Sequence, residues 1–212
     1  MKTKIYLILL AVGLLSAVSC TKYPPASGRL TEDLAILTKY DVTVDFNQYH
    51  TFYIADSIYY KDSKDSGRYR DANAVAVLNR IISNMTSRGF LQITDTVHNE
   101  YDLGIMVFAV KNTNVNVYYP GWYWGYYPPS WWGYPYYPYN YPYYPTYITS
   151  YSTGTLWWEL VDRKNAPVTQ KLFIRWNAFI RGLLTGYHSM SDITTSIDQA
   201  FKQSPAVRTN AN

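Results

Sequence analysis

Between Lys111 and Glu159 the chain carries no charged residue, and within that window residues 118–147 hold thirteen tyrosines, seven prolines, four tryptophans and three glycines. That proline density forbids an α-helix, because each proline removes a backbone donor and clashes with the preceding turn; the same missing donor forbids a central strand. Polyproline II and turns are what remain. The segment, taken with its flanks as residues 112–149, lies between two β-rich runs, so both of its ends are anchored. Whatever folds here must therefore form its core from the sequence on either side.

Those flanks show regular periodicity. Residues 40–46 alternate in character and are rich in β-formers, which predicts a strand, and His50-Thr51-Phe52-Tyr53-Ile54-Ala55 predicts the next one. Residues 59–70 are polar and contain Gly67, which suits a loop. Asp71 is placed to cap a helix on which Val75, Leu78, Ile81, Ile82 and Met85 form one apolar stripe, and Gly89 ends it. Leu103 to Val110 is apolar on both faces and reads as a central strand. Beyond the insertion, 155–161 and 168–180 predict two strands joined by a turn. In the second of them Leu172, Ile174, Trp176, Ala178 and Ile180 should point one way, and Arg175, Asn177 and Arg181 the other. Asp192 is placed to cap a last helix with Ile193, Ile197, Ala200 and Phe201 on its apolar face. The expected fold class is α+β: a two-layer sandwich with a mostly antiparallel sheet of about five strands and two helices on one face. One domain spans residues 35–205, and a disordered tail follows over 206–212.

The chain begins like an export signal. Lys2 and Lys4 precede an apolar run, Ile5 to Val18, interrupted by Ser16 and too short to span a bilayer. It closes on Ala17-Val18-Ser19-Cys20, which resembles a lipobox, and Cys20 is the only cysteine. The expectation is a leader over residues 1–19 and acylation of Cys20, with several acyl chains making the anchorage stable. Residues 20–34, with two prolines and a glycine, read as a tether. No Asp and no acidic cluster follows Cys20, which points to the periplasmic face of an outer membrane. A single cysteine rules out an intrachain disulfide. Net charge is +4, of which the leader carries two, so the remaining chain lacks the basic face that nucleic acid binding needs.

Several short motifs resemble a known family. Val44-Asp45-Phe46 followed by Tyr49-His50-Thr51-Phe52-Tyr53, then Gly154-Thr155-Leu156, Leu160-Val161-Asp162 and Trp176, and finally Ile193 through Phe201 to Pro205, resemble the lipoproteins grouped as domain of unknown function 4136. The resemblance implies an exported lipoprotein with an α+β domain. It carries over no functional residues, and the aromatic insertion departs from the family pattern.

The insertion admits four readings: a low-complexity loop packed on its own sheet, a glycan contact, a membrane contact, or a protein contact including self-association. Sugars stack on Trp and Tyr faces, Trp and Tyr favour the bilayer interface, and aromatics dominate interface hot spots. The rings expected to make such contacts are Trp122, Trp124, Trp131, Trp132, Tyr136 and Tyr137. No catalytic signature accompanies them. His50, His98 and His188 show no metal-ligand spacing, Asp62, Asp65 and Asp71 lack a calcium-loop pattern, and no nucleotide-binding loop or nucleophile elbow occurs. No catalytic residue, metal or cofactor is therefore expected. Asp56-Ser57-Ile58 and Asp95-Thr96-Val97 resemble an O-glycosylation sequon, which makes Ser57 and Thr96 candidate modification sites.

The expected function is a non-enzymatic envelope module, held at the membrane by lipid, with the insertion contacting peptidoglycan, another envelope glycan or an envelope protein. A structural or assembly role with the insertion as spacer is the alternative. A hydrolase of envelope polymers, which needs a carboxylate pair in a cleft, is the third reading.

Overall fold

The computed structural model describes residues 34–62, 66–112, 140–143, 154–169, 171–184 and 188–210. The strands are β1 (Ala35–Tyr40), β2 (Thr51–Ile54), β3 (Ile58–Asp62), β4 (Ser66–Tyr69), β5 (Leu91–Gln92), β6 (Leu103–Asn112), β7 (Asn140–Tyr143), β8 (Thr155–Asp162) and β9 (Lys171–Arg181). The helices are α1 (Ala72–Thr86), the short α2 (Ala166–Thr169) and α3 (Met190–Lys202). Among the described residues all nine strands join one sheet, ordered β1-β9-β8-β6-β2-β5, with β3 beside β6, β4 beside β3 and β7 beside β9. The α+β class holds, and five strands was an undercount.

The sheet is mixed rather than mostly antiparallel. β6, β8, β9 and β1 form antiparallel ladders, but β2 pairs parallel with both β5 and β6, and β3 pairs parallel with β6. The parallel pairs follow from connectivity: α1 lies between β2 and β5, and a helical crossover returns the chain in the same direction.

Local chemistry explains where the first strand ends. Asp41 accepts hydrogen bonds from the Thr43 amide and hydroxyl, and Asp45 caps a 3-10 turn at Phe46–Gln48 by accepting from the Asn47 amide. Both are Asx-type turns that compete with strand hydrogen bonding. The strand expected over 40–46 therefore lies earlier, at β1, and Val42 is 81% exposed in the turn. Residues 59–70, expected as a loop, contain the β3–β4 hairpin instead. In it Tyr60 and Tyr69 stack with ring centroids 4.1 Å apart, and Gly67 lies against the Tyr60 ring, where a Cβ would fall 2.9 Å from it.

One core cluster joins both long helices to one face of the sheet. Val77, Leu78, Ile81 and Met85 of α1, with Ile197, Ala200 and Phe201 of α3, pack on Ile105, Val107, Leu160 and Trp176. Trp158, Trp176 and Phe201 meet with centroids 4.8–6.0 Å apart, and the Trp176 indole donates to Ser204 at 2.8 Å. Val75, assigned to the apolar stripe, is 45% exposed, and Val77 takes its place. Asp71 caps α1 as expected, whereas Ser189 rather than Asp192 caps α3; Asp192, in the first turn, is the reciprocal partner of that capping box.

The C-terminal tail is docked through residue 210. Val207 is fully buried, Thr209 donates its amide to the Arg88 carbonyl at 2.9 Å, and Asn210 donates to the Asn47 side chain. Arg88 in turn donates to the carbonyls of Phe201, Ser204 and Val207, filling the open C-terminal end of α3. Gly89 makes this approach possible: its φ is +92°, and a Cβ there would lie 2.3 Å from the Thr209 carbonyl oxygen. Replacing Gly89 with alanine should cost on the order of 2 kcal/mol or more, from the left-handed backbone and the collision together. Urea denaturation of Gly89→Ala should show a lower midpoint, and an unchanged midpoint would contradict the docked tail.

Candidate functional site

Three features of the domain have the geometry to carry function: a polar clasp at one end of the sheet, an apolar cleft at the other, and the roots of the aromatic insertion. The clasp begins with a register shift. Leu160 faces Trp176 while Val161 faces Ile174, so β9 contributes one residue more than β8, and that residue is Arg175. A bulge of this kind re-aims the extra side chain. It also corrects the expected facing of β9: Trp176, Ala178 and Ile180 join the helix-side core, while Leu172 and Ile174 pack on the opposite face with Phe179.

Arg175, expected on the face of β9 opposite Trp176, has a side chain only 14% exposed and grips two carboxylates. Its guanidinium donates to Asp162 at 2.9 and 3.1 Å and to Asp41 at 2.9 Å, and it lies 4.7 Å from the Phe173 ring centroid. Asp162 is fully buried and also accepts from the Tyr49 hydroxyl at 2.8 Å and from the amide and side chain of Asn165. Burial and the adjacent Asp162 charge push the Tyr49 phenol far above its ordinary range. The Asp41 carboxyl resists burial, which would raise it, but Thr43 and Arg175 together hold it below its ordinary value. Beside the clasp, Asp102 accepts from the amides of His50 and Thr51, and Lys164 lies 3.8 Å away. With its acceptor positions so occupied, Asp162 is fixed to the protein and joins the β8–β9 hairpin to the turn before β2.

The cleft lies at the opposite end, where the N-termini of α1 and α3 approach the sheet. It encloses about 300 Å³, with Ile58, Val77, Leu156, Leu183, Met190 and Ile193 among its walls and Asp71, Asn73 and His188 at its polar positions. Its size and apolar lining suit a small apolar group. Asp71 is its carboxylate among the described residues, and that carboxylate caps α1 by accepting from the Ala74 amide at 2.8 Å.

The insertion is rooted on adjacent strands. It leaves β6 after Asn112 and rejoins the sheet at β8, and Val110 pairs with Thr155 across those two strands. Between them β7 touches down parallel to β9, at Lys171 and Phe173. Trp122, Trp124, Trp131, Trp132, Tyr136 and Tyr137 lie outside the described residues, as does Cys20. Of the two candidate glycosylation sites, Ser57 is 1% exposed, so the folded domain does not present its hydroxyl for modification; the sequon fell on a bend whose side chain turns inward. Thr96 is half-buried in a turn built on Asp95, which accepts from Val97, His98 and the His98 ring. The three histidines are not brought together. His188 lines the cleft, His50 lies beside Asp102, and His98 binds Asp95. Among the described residues no cluster of three potential metal ligands occurs, and no helix is long and apolar enough to cross a membrane.

Fold and site together define a small α+β module, clasped at one end and carrying its extra chain as an insertion between two central strands. The chain belongs to the DUF4136 family, whose model, a domain of unknown function, matches residues 36–206. It is similar to a DUF4136 protein of known crystal structure from Bacteroides thetaiotaomicron, with 29% identity and a TM-score of 0.66 over 83% of this chain and 98% of that one. A more distant likeness, at 10% identity and a TM-score of 0.39, covers 82% of this chain and 98% of a chain from the PelC dodecamer of Paraburkholderia phytofirmans. No curated protein matches the chain.

The clasp was not legible in sequence, because Asp41, Tyr49, Asp162 and Arg175 are scattered and each is ordinary in its own segment. Removing one partner of a buried ion pair leaves the other charge stranded. Arg175→Met should therefore lose on the order of 3–5 kcal/mol of stability, and adding Asp162→Leu should recover part of it. Equilibrium denaturation of both variants measures this; equal losses in the single and double variants would show that the pairing is not the cause. The lowered Asp41 group contributes its full stabilisation well above the ordinary value of 3.8 and loses it progressively as the pH falls below that value through the lowered folded one. Asp41→Asn should accordingly flatten the decline in stability between about pH 5 and pH 3, seen as a smaller difference in denaturation midpoint than in the parent.

Proposed function

We propose that the protein is a membrane-anchored envelope lipoprotein whose α+β domain is a binding module, with the aromatic insertion contacting a glycan or protein of the envelope. The observation that carries this reading is the insertion itself: an uncharged run of Tyr, Trp and Pro rooted on two neighbouring strands of a rigid sheet. Fixing both ends lowers the entropy cost of ordering a loop on its target, and Tyr and Trp offer wide contact area with few rotatable bonds. Phenol and indole groups suit sugar rings, which present an apolar face and hydroxyl edges together. The leader that closes on Cys20 supports the anchor, and the lack of a later acidic cluster supports the periplasmic side of an outer membrane.

The test is co-sedimentation of the whole chain with purified peptidoglycan sacculi and, separately, with vesicles of outer-membrane lipid. It is run beside a variant combining Trp122→Ser, Trp124→Ser, Trp131→Ser, Trp132→Ser, Tyr136→Ser and Tyr137→Ser. Cys20→Ser is included in every protein so that the lipid anchor does not pellet it. Binding to sacculi that falls at least tenfold in the variant is the expected result. Equal pelleting of the two proteins would remove the insertion as the contact surface. Pelleting of neither would remove peptidoglycan, and capture from solubilised envelope would then have to yield one protein partner that the variant fails to bind.

A further inference from the structure

The apolar cleft has a floor and a mouth of different character. Ile58, Val77, Ala109, Leu156 and Leu183 form the floor, each at most 5% exposed. Leu184, Met190 and Ile193 are half-buried at the mouth, where Asp71, Asn73 and His188 supply the polar positions. Strand register builds the base. Ala109 of β6 faces Leu156 of β8, Leu156 faces Ile180 of β9, and Ile180 faces Ile36 of β1, all on the helix side. The start of α1 lies over this row with Ala74 and Val77, and the start of α3 with Met190 and Ile193. Ala74 and Ala109 each present only a methyl group to the space, and neither fills it.

Size and charge select an occupant. At roughly 30 Å³ for a group the size of a water molecule, a cleft of about 300 Å³ holds about ten methylene-sized groups, the length of one medium acyl chain. Among the described residues no lysine or arginine lines it, and Asp71 places a carboxylate at its mouth. The N-terminal dipoles of α1 and α3 would draw an anion, but a carboxylate already answers each, Asp71 in α1 and Asp192 in the capping box of α3. Asn73 and the His188 ring offer hydrogen bonds that suit a hydroxyl or an ester. Location agrees. Ala35 pairs with Arg181, two residues before Leu183, so the chain enters the domain at the cleft end of the sheet. Cys20 precedes Leu34 by 14 residues, which span at most about 50 Å. A membrane that held Cys20 would keep lipid within that distance of the cleft.

We propose that the cleft is a binding site for a single acyl chain, carried by a lipid with an uncharged, ester-linked head such as an acylglycerol. Only the location depends on the anchor proposed above. The volume, lining and charge of the cleft belong to the domain alone, and the residues that form it lie outside the aromatic insertion.

Calorimetric titration of the whole chain carrying Cys20→Ser tests it. The probes are 1-octanoylglycerol, 1-decanoylglycerol and 1-dodecanoylglycerol, each below the concentration at which it aggregates, and decanoate, all at pH 8. One ligand per chain is expected. Affinity should rise about fourfold per methylene from the octanoyl to the decanoyl probe and level off by the dodecanoyl one. Decanoate should bind roughly fivefold more weakly than 1-decanoylglycerol, and Asp71→Asn, which still caps α1, should at least halve that gap. Met190→Trp, which sets a larger ring at the half-buried mouth, should weaken 1-decanoylglycerol at least tenfold, as should Ala109→Phe, which fills the floor. If Ala109→Phe loses its far-ultraviolet dichroism, Met190→Trp decides. No saturable binding, or binding that the folded cleft variants leave unchanged, would overturn the proposal; decanoate binding as tightly as 1-decanoylglycerol would overturn its choice of head. The titration uses neither sacculi nor the lipid anchor, so its failure and the failure of the insertion as a contact surface are separate results.

Discussion

A sheet whose central strands are apolar on both sides has to be covered twice. β6 carries Ile105, Val107 and Ala109 toward the helices and Met106, Phe108 and Val110 away from them, and β8 repeats the arrangement with Trp158 and Trp157. Leaving either set in water would forfeit roughly 1.5–3 kcal/mol for each large side chain. The helices α1 and α3, joined to each other by Arg80, Asn84 and Asp198, supply one cover. The second face is apolar in its turn, with Met106, Phe108, Val110, Trp157, Val161, Ile174 and Phe179 buried together.

The bulge at Arg175 serves the same sheet at its other end. Without the extra residue, Ile174 would share a face with Trp176, and the far-side cluster would lose Ile174 and Leu172. With it, the guanidinium is delivered to Asp162 and Asp41, and the turn before β2 is tied to the β8–β9 hairpin. A buried arginine between two carboxylates adds little net stability over a well-packed apolar alternative, but it tolerates few other arrangements of the same segments. The clasp thus reads as a device that fixes register, and the apolar cleft lies at the opposite end.

Membership of the DUF4136 family and the likeness to the Bacteroides structure agree on a domain, and they are silent on chemistry. What distinguishes this chain chemically is the uncharged aromatic run between two of its central strands. Its position ties any partner contact to the sheet, since a force on the insertion is transmitted directly to β6 and β8.

Elements with strong periodicity or strong local chemistry were legible in the sequence: α1 from its stripe and Asp71 cap, β6 from its double apolarity, and β8 and β9 from their β-formers. Each depends on interactions within a few residues, which sequence order preserves. The tertiary structure alone decided the rest. Apart from the first strand, which two local Asx turns over residues 41–48 displace to β1, it shifted the facing of β9 by one residue at Arg175, closed the tail onto Arg88 through Gly89, and turned Ser57 inward. These outcomes depend on partners far apart in sequence, such as Asp41 with Arg175 and Arg88 with Phe201, and a local pattern holds no record of a contact whose other half is more than a hundred residues away.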